Sequence, residues 1–102
     1  MQKHIKYAII ALVNATKLSK AADILKNAGC SGVYLFGSQA KGTAHADSDI
    51  DLGVFGLLPS LFFKTHFMLE NELNMKVDLV DFDHEKSFYE MLEKIGELKK
   101  IG

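Results

Sequence analysis

Within LFGSQAKGTAHADSDIDLGVF, residues 35 to 55, aspartates fall at every second position from Asp47 to Asp51. Asp49 and Asp51 also alternate with Ile50, Leu52 and Val54. A period of two is a strand signal, and it sends the two kinds of side chain to opposite faces. One face of this strand is then apolar, and the other carries two carboxylates about 6 to 7 Å apart along the backbone. At an effective dielectric of about 20, such charges repel by about 2 to 3 kcal/mol. That is a large fraction of what holds a small domain together. A chain containing this strand must cover one face with helices and compensate the carboxylates on the other.

A second segment repeats the pattern. In KVDLVDF, residues 76 to 82, Val77 and Leu79 face the core and Asp78 projects to the open face. If this strand lies beside residues 50 to 55, about 4.8 Å away, Asp78 joins Asp49 and Asp51 in a three-carboxylate cluster. Oxygen-only ligands of this kind suit Mg²⁺ or Mn²⁺. Three carboxylates on neighbouring strands are enough for two ions at the separation of about 3.5 to 4 Å used in phosphoryl displacement. Asp81 points the other way, Asp83 lies past the strand end, and Asp47 suits turn capping. All three are weaker ligand candidates. Without a cation, charged edge residues of this kind would serve only to block sheet-to-sheet association.

FGSQAKG supplies the complement. Gly37 permits a sharp turn and close ligand approach. Ser38 sits at a helix N-cap position, where free N–H groups favour a phosphate, and Lys41 adds positive charge. An anion cradle ten residues from a divalent-metal site is what a nucleoside triphosphate with Mg²⁺ requires. Competing motifs fail on particular residues. GSQAKGT has Thr43 where a P-loop needs lysine. DSDIDLGVFGLL has Leu52 and Leu58 where a calcium loop needs glycine and glutamate. HEKSF ends in Phe88 where a zinc helix needs histidine. His4, His45, His66 and His84 show no ligand spacing.

Around these strands the periodicity predicts a long N-terminal helix, or two broken near residues 14 to 16, ending at NAG, residues 27 to 29. VYLF, residues 33 to 36, reads as a buried strand. A helix follows Pro59 with Leu61, Phe62, Met68, Leu69 and Leu73 at helical intervals, and another runs from about Glu85 to near the end with Phe88, Met91, Leu92 and Ile95. Phe62, Phe63 and Phe67 read as core on the first of these rather than as a stacking platform for a base. The order predicts a single α/β (α+β) domain over residues 1–102, a small mixed sheet with helices packed on one face. The apolar residues from Ala8 to Val13 extend round more than one helix face, which offers either core or a contact surface.

Twelve basic residues against thirteen acidic ones leave a net charge of −1, so nothing in the composition marks a default nucleic-acid binder. The apolar run at residues 8 to 13 is too short to span a bilayer. With Cys30 as the one cysteine, a disulfide within the chain is excluded, and a reducing, cytoplasmic setting is expected.

Gly37-Ser38, ten intervening residues, then Asp49-x-Asp51 resembles the signature of the DNA polymerase β-like nucleotidyltransferase superfamily, and the stretch is especially similar to minimal nucleotidyltransferase (MNT) domains. The resemblance covers about Val33 to Asp81. It implies transfer of a nucleoside monophosphate from NTP, by family default ATP, to an acceptor hydroxyl. Asp49 and Asp51 would hold both metals, Asp78 would bind the catalytic one and help deprotonate the acceptor, and Gly37 and Ser38 would hold the triphosphate. Lys41 stands where many relatives carry arginine, keeping the charge without the bidentate fork. Little chain remains to bind an acceptor, so a partner should supply it. The resemblance implies a HEPN-domain toxin whose tyrosine is adenylylated by its MNT antitoxin. Transfer to another acceptor and a non-catalytic module that masks its partner are the alternatives, and a homo-oligomer is compatible with all three.

Overall fold

The structure is a computed structural model describing residues 2–37, 40 and 49–102, with side chains from Ala15 onward among these. Helix α1, Gln2–Asn27, is a single helix, the first of the two alternatives the periodicity allowed. It stops where Gly29 takes φ 105° and the Cys30 N–H reaches back to the Leu25 carbonyl at 3.1 Å. That left-handed turn is the NAG stop, made cheap by glycine. Burial pushes the Cys30 thiol up, as fits a small buried hydrophobe.

Strand β1, Gly32–Phe36, pairs antiparallel with β2, Ile50–Phe55. From β2 the chain passes through a 3-10 turn, Pro59–Leu61, and helix α2, Phe62–Leu73, to β3, Val77–Asp81, which lies parallel to β2. Helix α3, Lys86–Lys94, follows. The chain ends in a short strand absent from the sequence reading, β4, Lys99–Lys100, antiparallel to β1. The sheet order is β3-β2-β1-β4, a mixed four-stranded sheet.

Helices α1 and α2 cover one face. Ala21, Leu25, Leu69 and Leu73 pack there with Val33, Leu35, Ile50, Leu52, Val54, Val77 and Leu79, the apolar set that alternation selects. The expectation of helices on one face describes these two. Helix α3 takes the opposite face, where Phe36, Phe82 and Leu92 form a second core with Tyr34, Phe55, Phe88 and Tyr89. Its rings meet largely edge to face, as with Phe36–Phe88 at 5.4 Å and Phe55–Tyr89 at 4.8 Å. This core seats the fully buried Phe82 over Gly53, where an added Cβ would run into its ring.

Stripe assignments change on both α2 and α3. Thr65, with Leu69 and Leu73, is buried on α2, whereas Met68 is exposed and Phe63 and Phe67 stand 82% and 72% exposed. The core reading of Phe63 and Phe67 is thus corrected: the buried stripe runs 65-69-73 and leaves them on the solvent side. On α3 the buried side is Phe88, Tyr89 and Leu92, with Met91 and Ile95 exposed. The helix also ends at Lys94 rather than near the terminus, because Gly96 at φ 73° turns the chain back toward β1. Whether residues 8 to 13 are core or contact surface lies outside the described side chains. Among the described residues no helix is long and apolar enough to cross a membrane.

Gly53→Ala should overpack the Phe82 site and lower unfolding free energy by about 1 to 3 kcal/mol in urea titrations, with little change in m-value. An unchanged midpoint would show that the Phe82 ring moves aside freely.

Candidate active site

The open end of the second face carries the acidic residues. Parallel pairing of β2 with β3 makes Asp51 and Asp78 register partners. Asp51 is half-buried and Asp78 exposed, while Asp49 is exposed in the residue before β2. Parallel register sets like side chains side by side at one strand spacing, about 4.8 Å. The Asp51 carboxyl is pushed up to about 6, first by burial, then by the charge of Asp78, by a hydrogen bond to Asp78 that its protonated form makes, and by the charge of Asp49. Repulsion foreseen between neighbouring aspartates of one strand therefore acts chiefly across two strands.

Gly37 follows β1 with φ 71°, and an added Cβ there would strike the Asp51 carboxylate. Both the left-handed backbone and this contact demand glycine. The turn after β1 is thus brought directly over Asp51. Ser38, Lys41 and Asp47 lie outside the described residues, so the anion-cradle part of the prediction is represented by Gly37 alone.

Among the described residues no group of three His, Cys, Asp or Glu side chains stands close enough together to hold a metal ion. Asp51 and Asp78 are register partners, and Asp49 acts on Asp51 through its charge. The donor set nevertheless fits a hard divalent cation: all-oxygen and anionic, with one carboxyl whose affinity for protons is raised and would be lowered by a bound cation. Asp81 and Asp83 serve local structure. Asp81 Oδ1 accepts the Asp83 N–H at 2.9 Å, and Asp83 Oδ2 accepts the Gly56 N–H at 2.7 Å. Sequence reasoning missed the aromatic wall. Phe36 lies across from Asp51 in the antiparallel register and is backed by Phe88. The alternation of VYLF, with Tyr34 and Phe36 both aromatic on one face, was the available signal.

Comparison with known proteins gives the family and the fold. The family model described as "Polymerase beta, Nucleotidyltransferase" matches residues 19–100. The chain belongs to that nucleotidyltransferase family. It is similar to a solved toxin-antitoxin structure with AMP-PNP at 28% identity and TM-score 0.66, covering 81% of this chain and 70% of that one. A mutant of the MntA-HpeT toxin-antitoxin is similar at 28% identity and TM-score 0.63, covering 81% and 69%. The fold also matches, at 23% identity and TM-score 0.62, a tri-AMPylated Shewanella oneidensis HEPN toxin in complex with MNT antitoxin, covering 84% and 69%. No curated protein matches the chain.

The Asp51 shift has a signed consequence. A carboxyl whose folded value is raised from 3.8 to about 6 stabilises the fold fully below the lower value and loses that contribution as pH rises through the higher. Metal-free protein should therefore melt at lower temperature at pH 7.5 than at pH 5, with Mg²⁺ or Mn²⁺ recovering the difference. Asp51→Asn should flatten this component of the pH profile and remove most of the metal response. A profile unaffected by that substitution would show that the pair is not strained.

Proposed function

We propose that this chain is a Mg²⁺-dependent nucleotidyltransferase that moves AMP from ATP to a hydroxyl of a partner protein, acting as the antitoxin of a HEPN-type toxin. The observation that carries this is the register pairing of Asp51 with Asp78 beneath the Gly37 turn, in a chain of the nucleotidyltransferase family. The relatives support the donor and acceptor classes: one was solved with AMP-PNP, and one contains an AMPylated toxin.

Asp49 and Asp51 would hold two Mg²⁺ ions, or Mn²⁺ in their place, with Asp78 completing the catalytic one. Bound there, the ions supply charge neutralisation at the transferring phosphoryl group and orient nucleophile and leaving group. Gly37 brings backbone close to the phosphates without a side chain, Ser38 offers a hydroxyl and N–H to their oxygens, and Lys41 offsets the triphosphate charge. Asp78 is exposed where an acceptor would arrive, and helps take the acceptor proton as its oxygen bonds to the α-phosphorus. The α-phosphorus bond to the bridging oxygen breaks, and pyrophosphate leaves. Phe36 and Phe88 close one side of the site and limit water beside Asp51. The small-domain composition and family point to action in the cytoplasm.

With ATP labelled at the α-phosphorus and a HEPN-domain partner, label should transfer to the partner. Asp51→Asn and Asp78→Asn should each lower the rate by on the order of 100- to 1000-fold while leaving the complex intact. Neutralisation that survives both substitutions unchanged would mean that the partner is masked by contact, without chemistry.

A further inference from the structure

The outer edge of β3 is capped at one residue and open at the next. Ile50 donates its N–H to the Lys76 carbonyl, and Phe82 donates its N–H to that of Val54. In a parallel ladder this turns the backbone groups of residues 76, 78, 80 and 82 toward β2 and those of Val77, Leu79 and Asp81 outward. Helix α2 covers the first outward residue: His66 Nε2–H donates to the Val77 carbonyl at 2.6 Å, and Glu70 Oε2 accepts the Val77 N–H at 2.9 Å. The Asp81 carbonyl is taken by the N–H groups of His84 and Glu85. The Leu79 N–H and carbonyl and the Asp81 N–H receive no such cap among the described residues.

Beside these groups lies a cavity of about 510 Å³, bounded by Pro59, Phe62 and Phe63 on one side and Asp81, His84 and Glu85 on the other. Phe63, 82% exposed, leaves its apolar side open to solvent. An open strand edge next to an apolar trough is the geometry into which an extended peptide adds as a further strand. The trough's far rim carries two carboxylates, which selects a cationic visitor and repels phosphates. A second copy of this chain is a poor occupant. Pairing two β3 edges would gather Asp78, Asp81 and Asp83 of both chains on a stretch, residues 77 to 83, that contains no basic residue.

We infer that this edge docks the HEPN-type partner: an extended segment of that protein pairs with Leu79 and Asp81, seats an apolar side chain against Phe62 and Phe63, and places a Lys or Arg between Asp81 and Glu85. The inference rests on the partner class proposed above and assigns it a surface. It leaves the exposed Asp78 carboxylate, on the face adjoining this edge, open to the partner's acceptor group.

The test is amide hydrogen exchange on the full chain with and without its HEPN-domain protein, together with affinities of variants. Binding should slow exchange at Leu79 and Asp81. Phe63→Glu should weaken the complex by at least about tenfold, and Glu85→Lys severalfold, while Met91→Glu, on the exposed side of α3, changes nothing. A complex that forms with exchange at Leu79 and Asp81 unchanged, or that tolerates Phe63→Glu, overturns the docking edge and leaves the proposed function standing. No complex with the HEPN-domain protein overturns both.

Discussion

Two carboxylates held side by side across parallel strands are the constraint on which the rest of this structure turns. The pairing of Asp51 with Asp78 follows directly from the β2–β3 register, and that register is enforced by the opposite face, where Ile50, Leu52, Val77 and Leu79 must all reach one core. A one-residue slip would bury the aspartates and expose the apolar set. The strain between the two carboxyls is therefore maintained by hydrophobic burial elsewhere, a common way for a fold to hold charges where a ligand needs them. The Asp51 carboxyl is raised first by its own burial and then by the charge of Asp78 beside it.

The second face divides its work along the strands. Toward the far ends of β1 and β2, α3 and its aromatic residues seal the sheet, with Phe82 seated over Gly53. At the near end, Phe36 closes the aromatic core and Asp51 begins the polar site, and the two are cross-strand neighbours. One boundary between ring and carboxylate thus sets both where water is excluded and where a charged ligand can enter. Gly37 turns the backbone directly over that boundary.

Much of this was legible from alternation alone. The strands read at 33–36, 50–55 and 76–82, the helix stop at Gly29 and the outward direction of Asp78 follow from period two, glycine and charge. Adjacency of Asp51 and Asp78 needed one further step, the placing of β3 beside β2. Other features depended on partners that a linear pattern does not show. Helix α3 crosses to the second face because Phe82 and Gly53, far apart in sequence, make a seat there. Thr65 is a polar residue doing an apolar residue's job, and missing it misdirected Phe63 and Phe67 into the core. β4 is two lysines, with no strand signal, and pairs only because Gly96 returns the chain to the β1 edge.

The central claim is that Asp51 gives up its proton to admit a divalent cation, and calorimetric titration of Mn²⁺ in buffers of differing ionisation enthalpy tests it most directly. Because the Asp51 carboxyl is raised to about 6, binding near pH 6 should release protons, the release falling toward zero by pH 8 and at both pH values in Asp51→Asn. Binding that releases no proton at pH 6, or that survives Asp51→Asn unchanged, would contradict the account.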